Sequence, residues 1–169
     1  MRPPRIDPAG PATHMVSMTD QQPPDFAATA RTIEEEFALF DEPREKIEYV
    51  IDLGKDLPPL EENLKTEGNR VRGCQSQVWL VAELDPRTRC VSFRADSDAV
   101  IVKGLISLVL RLYSGRTPET ILANPPELFE RVGLGRLLTP GRANGLYSMV
   151  ERIRQLARAF TAAPAPAEG

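Results

Sequence analysis

The residue best placed to do chemistry is Cys74, in the run Gly68-Asn69-Arg70-Val71-Arg72-Gly73-Cys74-Gln75-Ser76-Gln77. The thiolate is the reactive form of cysteine, and nearby cations favour it. Arg70 and Arg72 are the local candidates for that role, although alternation along an extended chain could point them away. Gly73 removes a side chain where a backbone or a substrate could approach. The same residues also fit a plainer reading, a small buried residue that closes a loop. Residue types alone leave both open.

The scarce residues exclude more than the common ones. The chain has one histidine, His14, and two cysteines, Cys74 and Cys90. A Cys–His or Ser–His pair needs a histidine within the folded domain, and His14 lies in a Pro-rich stretch that reads as a tail. A zinc site needs three or four Cys, His or carboxylate ligands held together, which this composition barely supplies. Cys90 reads as a structural strand residue. Asp96 and Asp98 could be paired acids, but helix capping explains them more simply. Trp79 reads as a packing residue. Arg142 falls in the first turn of the last expected helix, where a cation opposes the helix dipole, and so hints at an anionic partner.

The 169 residues carry 21 Lys and Arg against 24 Asp and Glu, a net charge of −3. Such a balance argues against a protein built to neutralise phosphates, so no nucleic acid partner is expected. The longest apolar run, residues 100–110, is interrupted by Lys103 and is too short for the roughly 20 residues a membrane helix needs. No membrane partner is expected either. Residues 1–25 are Pro-rich without hydrophobic period and read as a disordered tail, as do residues 162–169. Nothing resembles a secretory signal, and Met15 or Met18 could serve as a shorter start. With reduced thiols, this points to the cytoplasm. The working domain is expected over residues 26–161.

The elements that must position Cys74 follow in order. Thr32 and Glu35 form a capping-box pattern with an apolar stripe at Ile33, Phe37 and Phe40. A second helix is expected from Asp41, with Pro43 in its first turn, Ile47, Val50 and Ile51 buried, and Gly54 at its end. After Cys74, Val78, Leu80, Ala82 and Leu84 alternate as a strand. Asp85-Pro86-Arg87-Thr88 turns the chain, and Val91, Phe93 and Ala95 alternate in a second strand. Pairing Leu84 with Arg89 sets Ala82, Leu80 and Val78 opposite Val91, Phe93 and Ala95, and Cys90 opposite Glu83. Asp96-Ser97-Asp98 would cap a helix bearing Val100, Ile101, Leu105, Leu108, Val109 and Leu112, ended by Gly115. Thr117-Pro118 and Asn124-Pro125 suggest two short helices, and Thr139-Pro140 a last one. Its stripe is Leu146, Met149, Val150, Ile153, Ala157 and Phe160, with Arg152, Arg154 and Arg158 on a solvated face. This is an α+β domain with a small antiparallel sheet packed by helices.

Three blocks carry a resemblance to the SufE family of sulfur-acceptor proteins. They are Gly73-Cys74-Gln75-Ser76-Gln77-Val78-Trp79, then Asp96-Ser97-Asp98-Ala99 with Ile101-Val102-Lys103-Gly104-Leu105, then Leu138-Thr139-Pro140 with Arg142 and Asn144-Gly145-Leu146. Gly141 and Ala143 stand where serines are common in that family. The resemblance implies a SufE/NifU-like fold and a partner, a pyridoxal-phosphate-dependent cysteine desulfurase of SufS/CsdA type. Cys74 would take persulfide sulfur from it, stimulate it, and deliver the sulfur to an iron–sulfur scaffold complex. The acceptor itself would need no cofactor and no metal. It also implies an apolar cavity that shelters the Cys74 loop, with Gly68 and Gly73 as hinges. Gly73, Gln75, Asp96 and Arg142 would support the site.

Three rivals bound this expectation. An IscU-like iron–sulfur scaffold shares the layering but calls for about three cysteines around a cluster. A stand-alone thiol hydrolase lacks a domain histidine, while a thiol peroxidase would consume peroxide alone. The last is a non-catalytic, desulfurase-binding regulator in which Cys74 is only structural.

Overall fold

The computed structural model describes residues 25–162, and the tails expected at either end lie outside them except for Asp25 and Ala162. Helix α1 spans Phe26–Ala38 and α2 spans Pro43–Gly54. Two short 3-10 turns, Glu62–Leu64 and Glu67–Asn69, lead into strand β1 (Val78–Leu84) and strand β2 (Val91–Ser97). Helices α3 (Val100–Tyr113), α4 (Pro118–Ala123), α5 (Glu127–Arg131), α6 (Leu134–Leu137) and α7 (Pro140–Ala162) follow. The expected α+β class holds.

Helix α1 starts about two turns earlier than its capping-box pattern suggests. Asp25 is the N-cap, its carboxylate accepting the Ala28 N–H at 2.7 Å. Thr32 is a mid-helix residue whose hydroxyl donates to the Ala28 carbonyl. Polar residues that can cap can also bond back to the preceding turn, which makes such patterns ambiguous. Helix α2 begins at Pro43, two residues after the expected start at Asp41 but with the proline in its first turn as expected, and crosses α3 very closely. A Cβ on Gly104 would sit 1.9 Å from the Val50 carbonyl oxygen, and one on Gly54 would sit 2.6 Å from the Gly104 nitrogen. Two glycines at the crossing let the backbones meet.

The two strands pair antiparallel, but two residues out of the expected register: Leu84 faces Val91, Ala82 faces Phe93, Leu80 faces Ala95 and Val78 faces Ser97. The turn is wider because Asp85 accepts the Arg87 N–H through its side chain and the Arg89 N–H through its carbonyl. Arg89 then takes a positive φ of 66°. Cys90 therefore leaves the ladder, and Ser92 takes its place opposite Glu83. A shift of two preserves side-chain parity, so Val78, Leu80, Val91, Phe93 and Ala95 still form the buried face.

Helix α3 lies under that face and carries much of the core, with Leu105, Ile106, Leu108, Val109, Leu112 and Tyr113 all 1% exposed or less. Val100, assigned to this stripe from sequence, is instead 62% exposed in the first turn. Thr117 caps α4 as expected, accepting the Thr120 N–H. Asn124 caps no helix; its amide donates back to the Thr120 carbonyl, and α5 starts after Pro126. Helix α7 buries Leu146, Met149, Val150, Ile153 and Ala157 as its spacing predicts. Its arginines are not simply a solvated face: Arg154 donates to the Ile121 and Leu122 carbonyls at the end of α4.

Candidate thiol site

The chain before Cys74 is pinned to the sheet. The Val71 N–H donates to the Val78 carbonyl at 2.8 Å, Arg70 bridges to Trp79, and Val71 is buried. The backbone then reverses at Gly73, whose φ of +90° suits glycine. A Cβ there would also fall 2.5 Å from the Ser148 hydroxyl of α7. Gly73 thus turns the loop against α7 and delivers Cys74 to that helix. Gly68 differs: it sits in a 3-10 turn, and a Cβ there would meet only the Thr66 hydroxyl at 3.8 Å. No geometry at Gly68 demands a glycine.

Cys74 is half-buried over a small cavity between the loop, α3 and the first turns of α7. Val102 and Leu105 of α3, with Leu146 and Met149 of α7, supply apolar walls; Gln75, Ser76, Gly141, Arg142 and Gly145 complete it. Its free volume is about 10 Å³, room for about one water-sized atom. The Cys74 thiol donates a long hydrogen bond, 3.6 Å, to the Gly145 carbonyl. Gln75 folds back so that its amide lies on the bare α-carbon of Gly141, where a Cβ would be 2.2 to 2.4 Å away. A serine side chain at position 141 would displace that amide.

Burial pushes the Cys74 thiol above its ordinary range, and the Arg70 guanidinium opposes this without overcoming it. Arg72 is exposed and pairs with Glu67 instead. Of the two arginines that were candidates to favour a thiolate, only Arg70 acts on Cys74, and desolvation outweighs it.

Of the supporting residues, Gln75 and Arg142 line the cavity and Gly73 borders it, whereas Asp96 does not line it. Nor does Asp96 cap α3. It faces Trp79 across the ladder and accepts the Leu60 and Ser97 N–H groups. Lys65 lies 3.5 Å from it and reaches over the Trp79 ring. These contacts, with Lys103 nearby, hold its carboxyl below the usual range despite burial. Ser97 accepts the Ala99 N–H, while Asp98 accepts from Gln77. The Asp-Ser-Asp run therefore ties the loops at the end of the hairpin. Val102, Leu105, Gly145 and Leu146 fall within the three motif blocks without being assigned a role there, whereas Ser148 and Met149 lie outside them. The available signal was Gly141 and Gly145, four apart on the same face of a helix that carries Arg142.

Comparison with known proteins agrees with this architecture. Residues 31–157 match the family model described as SufE, Fe-S metabolism associated domain. An uncharacterised SufE-like protein of Rhizobium etli is 45% identical over 82% of this chain and 95% of its own length. One from Synechocystis is 37% identical, over 87% of this chain and 89% of its own. The solution structure of a hypothetical protein from Thermus thermophilus shares the fold, with a TM-score of 0.66 over 80% of this chain and 97% of that one at 22% identity. Among the described residues, no helix is long and apolar enough to cross a membrane. The chain thus belongs to the SufE family, which is associated with iron–sulfur metabolism.

Proposed function

We propose that Cys74 is a sulfur acceptor: it takes sulfane sulfur from the persulfide of a pyridoxal-phosphate-dependent cysteine desulfurase, stimulates that enzyme by unloading it, and hands the sulfur to an iron–sulfur assembly scaffold. The observation that carries this reading is a single half-buried thiol facing a largely apolar cavity with room for about one more atom. The Cys74 thiolate attacks the terminal sulfur of the donor persulfide. A new S–S bond forms at Cys74, the donor's S–S bond breaks, and the donor cysteine leaves as its thiolate. Sulfane sulfur only changes carrier, so no external oxidant or reductant is consumed. The pyridoxal chemistry belongs to the partner, and the acceptor contributes position and shelter.

A raised resting pKa fits a carrier that must not react before docking. Movement of the loop about Gly73 into solvent would relieve desolvation and restore thiolate character. Arg142, lining the same cavity, supports the anion during transfer. Among the described residues no group of three or more His, Cys, Asp and Glu side chains is arranged to hold a metal ion, so the scaffold alternative gains no donor set here. Both described cysteines are free, and a reducing compartment such as the cytoplasm would keep them so.

The test is intact-mass spectrometry without reductant, after incubation with a cysteine desulfurase and free cysteine. A mass gain of sulfur, lost in Cys74→Ser and kept in Cys90→Ser, is expected. Stimulation of the desulfurase with no sulfur uptake would instead make the protein a regulator, and sulfur uptake by Cys74→Ser would remove the assigned site. Arg142→Ala should slow transfer; an unchanged rate would remove its role.

A further inference from the structure

A second feature lies beside the cysteine loop, on the face of α7 that carries Ser148 and Arg152. Arg70, Arg72 and Arg152 line an open groove of about 260 Å³ together with Ser148, Glu151 and Gln155. Three guanidinium groups in one groove stand out on a chain whose net charge is −3. Their present partners leave donor capacity unused. Glu67 is shared between two of them, at 3.3 Å from Arg70 and 3.5 Å from Arg72, and its side chain is 70% exposed. Arg152 reaches the Gly68 carbonyl only at 3.5 Å, and its buried Nε has no hydrogen-bond partner. Glu151, the groove's own acid, is engaged by Arg158 at 2.8 Å.

We infer that this groove docks an acidic segment of the sulfur-donating protein, whose carboxylates take the guanidinium faces that Glu67 now holds loosely. The inference rests on the reading of Cys74 as a sulfur acceptor and names how the donor is held. Arginine's planar fork accepts carboxylates in paired hydrogen bonds, and a single-sign patch speeds encounter with an oppositely charged partner. The groove is open, as a chain segment requires. Arg70 and Arg72 lie four and two residues before Cys74 on one strip of backbone. A segment bound there grips the loop that carries the thiol, so docking and loop release act on one element. Glu67 is the internal competitor that a donor must displace.

The test uses the full chain with a purified cysteine desulfurase, following sulfur transfer against acceptor concentration at low and high salt. Arg72→Glu should raise the half-saturating concentration about fivefold or more at low salt and flatten the salt dependence, with the saturated rate within about twofold of the parent. Glu67→Gln should move the half-saturating concentration the other way. Unchanged concentration and salt dependence in both variants, with sulfur still reaching Cys74, would overturn the groove while leaving the acceptor reading intact. Failure of the parent itself to take sulfur would remove that reading and the groove with it. An equal loss in Arg72→Glu when free cysteine replaces the scaffold as sulfur recipient, with donor affinity unchanged, would place a small carboxylate there and overturn the docking segment.

Discussion

The Cys74 sulfur lies 3.6 Å from the Gly145 carbonyl oxygen, and a Cβ on Gly145 would come to 3.5 Å from that same sulfur. A methyl group at 145 would therefore touch the thiol in ordinary van der Waals contact without clashing. Under the proposed acceptor role it would also occupy the space that an added sulfur atom needs, so folding and sulfur storage would make opposite demands at this position.

Gly145→Ala separates those demands. Alanine in a helix interior is favoured over glycine by up to about 1 kcal/mol, so the melting temperature should hold or rise. Sulfur uptake at Cys74, read by intact mass, should fall severalfold because the cavity no longer accepts the extra atom. A variant that is more stable and equally competent would show that the cavity does not house the sulfur.

Gly73→Ala loads the other side of the loop. A non-glycine residue held at φ of +90° costs about 1–3 kcal/mol, and its Cβ would also press on Ser148. Denaturant unfolding should show a loss in that range. Adding Ser148→Gly should recover only the steric part and leave the conformational cost, so the double-mutant cycle should give a coupling below the full loss. Complete recovery would mean that contact with Ser148, and not backbone conformation, requires the glycine.

Much of this arrangement was legible before any coordinates, and the exceptions have physical causes. The hairpin's buried face follows from alternation at Val78, Leu80, Phe93 and Ala95, which survives a two-residue shift. Its register does not, because the side-chain turn at Asp85 and the left-handed Arg89 are indistinguishable from a tighter turn in one sequence. Cys74 and its neighbours Gln75 and Arg142 were recognisable from motif and position. Asp96 was misassigned because the same carboxylate can cap a helix or accept loop N–H groups, and only tertiary placement decides. Position also decides between the two readings of the thiol's surroundings: Arg70 is near enough to lower its pKa, but burial, invisible in sequence, outweighs it.

That burial has a consequence for stability. Cys74 is held above the usual thiol range in the folded protein, so the unfolded chain loses its proton first as pH rises. Its contribution is fully present below the ordinary thiol pKa of about 8.5 and is lost as pH climbs from there through the folded value. Unfolding free energies of parent and Cys74→Ser, measured from about pH 7 to 10, should show the parent declining more steeply across that window. Parallel curves would mean that the thiol ionises equally easily in both states. Arg70→Ala should steepen the parent's decline, since it removes a cation that works against desolvation of the thiolate.

The helical layer titrates at the opposite end of the scale. Arg111 of α3 donates two hydrogen bonds, 2.8 and 2.9 Å, to Glu36 of α1, and the Tyr49 hydroxyl of α2 donates to the same carboxylate. Tyr49 is pushed up to about 12, chiefly by burial, so it remains a donor through neutral pH. Arg111 holds the Glu36 carboxyl below its ordinary value. Its contribution is therefore present above the unfolded pKa of about 4.3 and is lost as pH falls through the lower folded value. Both partners are about a third exposed, so Arg111→Met should cost only about 1–2 kcal/mol at neutral pH. As pH falls below about 4.3 the gap between parent and variant should begin to narrow, because protonated Glu36 no longer attracts the guanidinium. A gap that stays constant from pH 7 to 3 would assign the loss to packing of the arginine stem between α1 and α3, with the ion pair contributing nothing.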